Sequence, residues 1–180
     1  MEEKKKNAVL SEVLDYVKVI VFAVVFVLIV NNFILINALV PSESMEKTIM
    51  TGDRIFGFRL AYEWNEPERF DIVIFKYPDD PEQKELYIKR IIGLPGETIN
   101  IVNGKVYIDG KKTPLDDSFC PETPIGDFGP YTVPEGCYFM LGDNRNCSKD
   151  SRFWENTYVR EDQIVGKAVL RYYPSIKLMN

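Results

Sequence analysis

Ser44 and Lys89 are the residues whose types could do chemistry in this chain of 180 residues, and the reason is an absence: the sequence contains no histidine. A nucleophilic serine needs a group that takes its proton, and the usual group is imidazole. Without one, Ser44 in the run Ser42-Glu43-Ser44-Met45 requires a lysine, a carboxylate or an N-terminal amine as base. Lys89 suits that role because it interrupts an apolar, strand-like segment, Leu86-Tyr87-Ile88-Lys89-Arg90-Ile91-Ile92. A free lysine titrates at about 10.4 and is an ammonium at neutral pH. Desolvation lowers that value, and Ile88 and Ile91 point to an apolar setting, with alternation along the strand placing only some neighbours on its face. The pair reads as a serine–lysine hydrolase. Taken singly, Ser44 also reads as a linker hydroxyl and Lys89 as an outward strand amine.

Three further segments accompany the serine run. Gly52-Asp53-Arg54-Ile55 follows it closely, Lys89 opens a stretch that reaches a Pro-Gly turn and ends at Glu97, and Gly142 to Arg152 packs turn formers and opposite charges after an apolar strand. In order and spacing the four segments resemble the boxes of bacterial type I signal peptidase. With the apolar N-terminal run, the resemblance covers nearly the whole chain.

That resemblance implies Ser44 as nucleophile and Lys89 as general base. It also implies that Ser42 lends its hydroxyl to the oxyanion hole beside the Ser44 N–H, and that Ser148 orients the lysine amine. Asp150 and Arg152 would form a structural ion pair, where the plain alternative is a surface pair contributing about 0–1 kcal/mol. Implied substrates are exported preproteins, cut after small residues at the first and third positions before the bond and held by strand addition. Val40, Met45, Ile49 and Ile88 fall on positions that line the family's shallow pockets, with core packing as the competing role. No cofactor and no metal is implied.

One position departs from the family's Ser-Met-x-Pro-Thr: Lys47 stands where proline is usual. Ser44-Met45-Glu46-Lys47 thereby forms an S-x-x-K, a signature of penicillin-binding proteins and serine β-lactamases. No K-T-G follows, S-D-N is missing, and the chain after its apolar run is short for that fold.

The elements that must position these residues begin with a membrane-length run. Val19 to Val40 holds no charged residue and is interrupted only by Asn31, Asn32 and Asn37. As a helix it would be roughly 33 Å long, enough for a bilayer core of about 30 Å. A buried helix would need a partner on every face. A cleaved signal peptide would have a shorter apolar run and a better small-x-small site than Ile36-Asn37-Ala38. A retained anchor is the preferred reading, with membrane lipid as its surroundings.

Lys4, Lys5, Lys6 and Lys18 precede the run and Lys47 is the nearest basic residue after it. The positive-inside bias puts residues 1–18 in the cytoplasm, residues 19–40 across the cell membrane and residues 41–180 outside as the catalytic domain. Four lysines balance Glu2, Glu3, Glu12 and Asp15, so the net charge of −5 belongs to residues 41–180. No basic stripe is left to attract nucleic acid. Cys120, Cys137 and Cys147 form no C-x-x-C, and without histidine no zinc site is expected. An exported domain has the option of pairing Cys120 with Cys137.

Beyond Pro41 the text turns to short β-branched and aromatic strands at Arg54–Phe58, Asp71–Tyr77, Leu86–Ile92, Cys137–Leu141 and Gln163–Tyr173. Asn103-Gly104, flanked by Thr98–Val102 and Lys105–Ile108, is the strongest hairpin signal. Lys111 to Pro134 reads as loop. The expected fold is mainly β: a single N-terminal transmembrane helix, then an antiparallel, partly closed β-sheet with a core at 41–96 and 136–180 and a loop-rich inserted hairpin region at 97–135. The leading functional reading is a membrane-anchored signal-peptide endopeptidase. The alternatives are a relative specialised for particular substrates such as pilin-like precursors, and a catalytically silent β-domain that binds exported chains.

Overall fold

The computed structural model describes residues 2–120 and 122–179, with side chains from residue 12 onward, so the side chains of Lys4, Lys5 and Lys6 lie outside the described residues. It divides into two compact units, one ending at Leu35 and one beginning at Ile36.

The first unit is a helix, α1 (Glu2–Ile29), continued by a wider π-type turn over Val30–Ile34. Glu12–Ile34 is long and apolar enough to cross a membrane, and its apolar side chains from Val19 to Ile29 are exposed. The helical part thus stops short of the expected boundary at Val40. Asn32 donates its side-chain amide to the carbonyl of Leu28 at 2.8 Å, a local bond that competes with the regular ladder. Leu35–Leu39 then forms strand β1, and Ile36 and Val40 bury their side chains in the core of the second unit.

That unit is built from β2 (Arg54–Phe58), β3 (Ile72–Lys76), β4 (Leu86–Gly93), β5 (Thr98–Val102), β6 (Lys105–Ile108), β7 (Phe128–Thr132), β8 (Cys137–Leu141), β9 (Val159–Arg160), β10 (Ile164–Tyr173) and β11 (Lys177–Leu178). The larger sheet runs β1-β2-β10-β3-β4-β8-β9, with β11 pairing to β10, and β2, β3, β4, β8, β9, β10 and β11 pair antiparallel. The path is open: β1 and β9 are its two ends among the described strands, so the sheet does not close. The smaller sheet has the order β6-β5-β7. Its hairpin turns at Asn103 (φ 50°) and Gly104 (φ 73°), both at the positive φ a type I′ turn demands. β7 lies in the stretch expected to be loop. Pro130 within it cannot donate to a ladder, which suits the edge position β7 occupies.

Three apolar clusters hold these layers. Ile36, Val40, Met45, Ile49, Ile55 and Ile74 belong to the first, Phe75, Tyr77, Ile91, Met140 and Trp154 to the second. The third joins the sheets through Ile92, Ile99, Ile101 and Phe139, with Leu115 and Phe119 of the connecting loop packed against it. β4 meets the first two clusters through Ile88 and Ile91, on either side of Lys89.

Candidate active site

Ser44 lies in a single 3-10 turn, Glu43–Met45, entered from an extended Ser42. Met45 and Ile49 are fully buried in the first cluster and anchor the turn to the sheet. Asn144 holds it from the other side: its backbone N–H donates to the Ser44 carbonyl and its side-chain amide to the Glu43 carbonyl, each at 3.1 Å. Gly142, two residues earlier, comes so close to the Ser44 carbonyl and to Ser148 that an added Cβ would overlap both. Any side chain there would push the two loops apart.

Lys89 is supplied by β4, opposite Val73 of β3. Its Nζ lies 2.7 Å from Oγ of Ser44, and both residues are buried, at 3% and 6% exposure. The amine also donates to the Ile88 carbonyl at 3.1 Å and stands 5.5 Å from the centre of the Tyr87 ring. Burial pushes its pKa from 10.5 down to about 8, against the pull of the Asp150 and Asp143 carboxylates, which favour the charged form. At pH 7 roughly a tenth of such an amine is neutral. A hydroxyl against a neutral amine donates to the nitrogen lone pair, the arrangement in which a serine can lose its proton as it attacks. Lys47, the other lysine near the serine, is exposed.

Ser42 is exposed, with Oγ 3.3 Å from Oγ of Ser44. Ser148 is different from expectation. Its hydroxyl is buried and has no hydrogen-bond partner, and the two bonds of Lys89 go to Ser44 and Ile88 instead. Asp150 and Arg152 pair through two bonds, at 2.8 and 2.9 Å, and both are buried. Asp150 also accepts the Gly142 N–H, and Arg152 donates to the Arg145 carbonyl, so the pair closes the loop that carries Asn144 and Ser148.

A groove of about 560 Å³ opens onto Ser44 and Lys89 between residues 36–45 and 86–89. Val40, Met45 and Ile88 contribute to its wall. Ile49 does not: it is 0% exposed and belongs to the core behind the wall. β8 pairs only from Arg90 onward, so the edge of Leu86–Lys89 facing the groove is paired to no described strand.

The residues missed from sequence are those of a buried network beside the lysine. Arg90 grips Asp143 and donates to the Phe70 carbonyl at 2.8 Å, while its guanidinium covers the Phe119 ring at 4.2 Å. Thr48, three residues past the Ser44 turn, donates to the same Asp143 carboxylate. Their only sequence signal was adjacency, Arg90 to Lys89 and Asp143 to Gly142. Among the described residues no cluster of side chains could hold a metal ion. The three cysteines are unpaired, so the optional Cys120–Cys137 bridge is not formed.

A family model described as "Signal peptidase, peptidase S26" matches residues 13–173. The chain belongs to this signal peptidase family. It is similar to Signal peptidase I of Leptolyngbya laminosa, 38% identical over 93% of this chain and 83% of the relative. Signal peptidase I S of Bacillus subtilis is 37% identical over 95% of this chain and 92% of its own. A solved signal peptidase I from Enterococcus faecalis V583 is 34% identical, covers 57% of this chain and 97% of its own, and superposes with a TM-score of 0.47. Membership makes the chain a peptidase, a hydrolase of peptide bonds.

Proposed function

We propose that this peptidase removes signal peptides from exported preproteins by a serine–lysine mechanism, anchored by α1 in the cell membrane with residues 41–180 on its outer face. The observation that carries the reading is the 2.7 Å contact between a buried serine hydroxyl and a buried lysine amine whose pKa is lowered. A catalytically silent binding domain has no need of that contact.

In this mechanism Ser44 Oγ attacks the carbonyl carbon of the residue before the cut, and neutral Lys89 takes the hydroxyl proton. The Ser44 N–H and the Ser42 hydroxyl face the oxyanion. As the intermediate collapses, the lysine ammonium passes its proton to the departing amine, leaving an ester on Ser44. Lys89, neutral again, then deprotonates a water that attacks the ester, and the proton returns to Ser44 as it leaves. The unpaired edge of Leu86–Lys89 offers backbone groups to an extended substrate. Val40, Met45 and Ile88 give the side chains before the cut an apolar wall to sit against.

The test is incubation of the full chain, in detergent, with a preprotein carrying an Ala-x-Ala site. Mass analysis should find one cut directly after the second alanine. Cleavage that survives in Ser44→Ala, or a parent that leaves the preprotein whole, overturns the proposal.

A further inference from the structure

The groove contains a second lysine that the reaction does not use. Lys149 lines it and is exposed, and among the described residues it has no ion-pair partner. Its backbone is held fast between Ser148 and Asp150, both buried. Its amine lies 5.9 Å from the centre of the Tyr77 ring. Tyr77 stacks on Tyr87 at 4.3 Å with the rings 3° from parallel, and the Tyr87 ring in turn faces the Lys89 amine. Lys89, Tyr87, Tyr77 and Lys149 therefore form a continuous row. The rings are fixed from behind by Trp154, 5.6 Å from Tyr77 and 6.2 Å from Tyr87.

The chemistry of the cut gives this row a direction. Lys89 must hand its proton to the amine that departs, so it stands beside the first residue after the cut. Tyr87, Cys147 and Lys149 line the groove together with Lys89, while Tyr77, 9% exposed, backs the Tyr87 ring from the core. Asp79, on the Tyr77 hydroxyl, forms no ion pair with Lys149 among the described residues. Its oxygens are taken by the Tyr77 hydroxyl and by the N–H groups of Glu155 and Asn156.

We propose that Lys149, over the Tyr77–Tyr87 stack, is a specificity-determining residue that favours an acidic side chain among the first residues after the cut. This deepens the peptidase reading above and rests on it. The occupant is the carboxylate of Asp or Glu in the mature part of the substrate. An exposed charge pair of this kind changes kcat/KM by about two- to fivefold, and salt screens it.

The experiment uses the full chain in detergent and peptides identical up to the cut, with Asp, Asn or Lys at each of the first three positions after it. The parent should cleave in the order Asp, Asn, Lys at one of those positions, with the spread narrowing in high salt. Lys149→Glu should invert the Asp-to-Lys ratio and Lys149→Arg should keep it. Lys112→Glu, the same charge change at an exposed loop lysine away from the groove, should leave the ratio as in the parent. A second measurement needs no variant: the released acidic peptide should protect the exposed Cys147 thiol, also on the groove wall, from alkylation better than the lysine peptide does. No charge order in the parent, an order that survives Lys149→Glu, or equal protection of Cys147 overturns the subsite and leaves the peptidase intact. A parent that cleaves none of the peptides overturns the peptidase reading, and the subsite with it.

Discussion

Asp143 grips the guanidinium of Arg90 with both oxygens, at 2.8 Å to Nε and 2.7 Å to Nη2, and neither side chain is more than 4% exposed. Arg90 is the chain neighbour of Lys89, and Asp143 also accepts from Thr48, three residues past the Ser44 turn. One carboxylate thus ties the Lys89 strand to the segment that follows the Ser44 turn. Asp150 and Arg152 do the same for the loop that supplies Asn144.

Removing one member of the first pair leaves the other charged and buried. Asp143→Ala and Arg90→Ala should each cost about 3–5 kcal/mol of stability. The double variant should cost less than the sum, because the second deletion removes the uncompensated charge. Denaturant titrations of the four proteins check this, and additive losses would mean that the two groups do not interact.

Ser148 calls for a different expectation. Its hydroxyl is buried and unpartnered, so Ser148→Ala removes a group that gains nothing from folding. The variant should be at least as stable as the parent. If the hydroxyl engages Lys89 once substrate arrives, kcat falls while Tm holds. Loss of both together would make Ser148 a packing residue, and loss of neither would remove it from the mechanism.

Much of this was legible in the sequence, and the parts that were not share a cause. The β-branched and aromatic runs at Asp71–Tyr77 and Leu86–Ile92 announce β3 and β4, and Asn103-Gly104 announces the β5–β6 turn, because those signals are local. Strand β1 was hidden inside an apolar run. Leu35–Leu39 is as hydrophobic as the helix before it, and hydropathy does not distinguish lipid from the core that buries Ile36. β7 was hidden by Gly129 and Pro130, which read as turn formers but also suit an edge strand. The Arg90–Asp143 and Thr48–Asp143 bonds join residues 53 and 95 positions apart. No local periodicity encodes such pairs. Ile49 falls on a pocket position of the resemblance with core packing as the competing role, and its place in the chain does not say which way its side chain turns; it turns into the core.

The buried lysine should weaken the fold it serves. Unfolded, Lys89 binds its proton up to about 10.5; folded, only up to about 8. Between those values the unfolded chain holds more protons, so stability rises with pH across the window. Below about pH 8 the penalty is complete and constant, roughly 3 kcal/mol from the size of the shift. Lys89→Met should therefore be inactive yet more stable than the parent at pH 7. Its advantage should shrink as pH is raised from 8 toward 10.5. Thermal melts of both proteins in one detergent at several pH values test it. A variant no more stable at pH 7, or an advantage that grows with pH, would contradict the burial of a free amine.

The same group should govern the rate. In the proposed mechanism the reactive form needs an unprotonated amine, and this chain has no imidazole to titrate near neutrality. The profile of kcat/KM should rise along a single limb with its midpoint near the folded pKa of Lys89, about 8. Arginine keeps the positive charge and the length of the side chain but holds its proton at every usable pH. Lys89→Arg should thus be inactive across the whole profile, rather than shifted along it. Ser44→Ala and Lys89→Met should each abolish turnover, and the double variant should be no worse than either, since the two act as one unit. An arginine variant that works at high pH would mean that another group accepts the serine proton, and the exposed amine of Lys47 would be the first to replace.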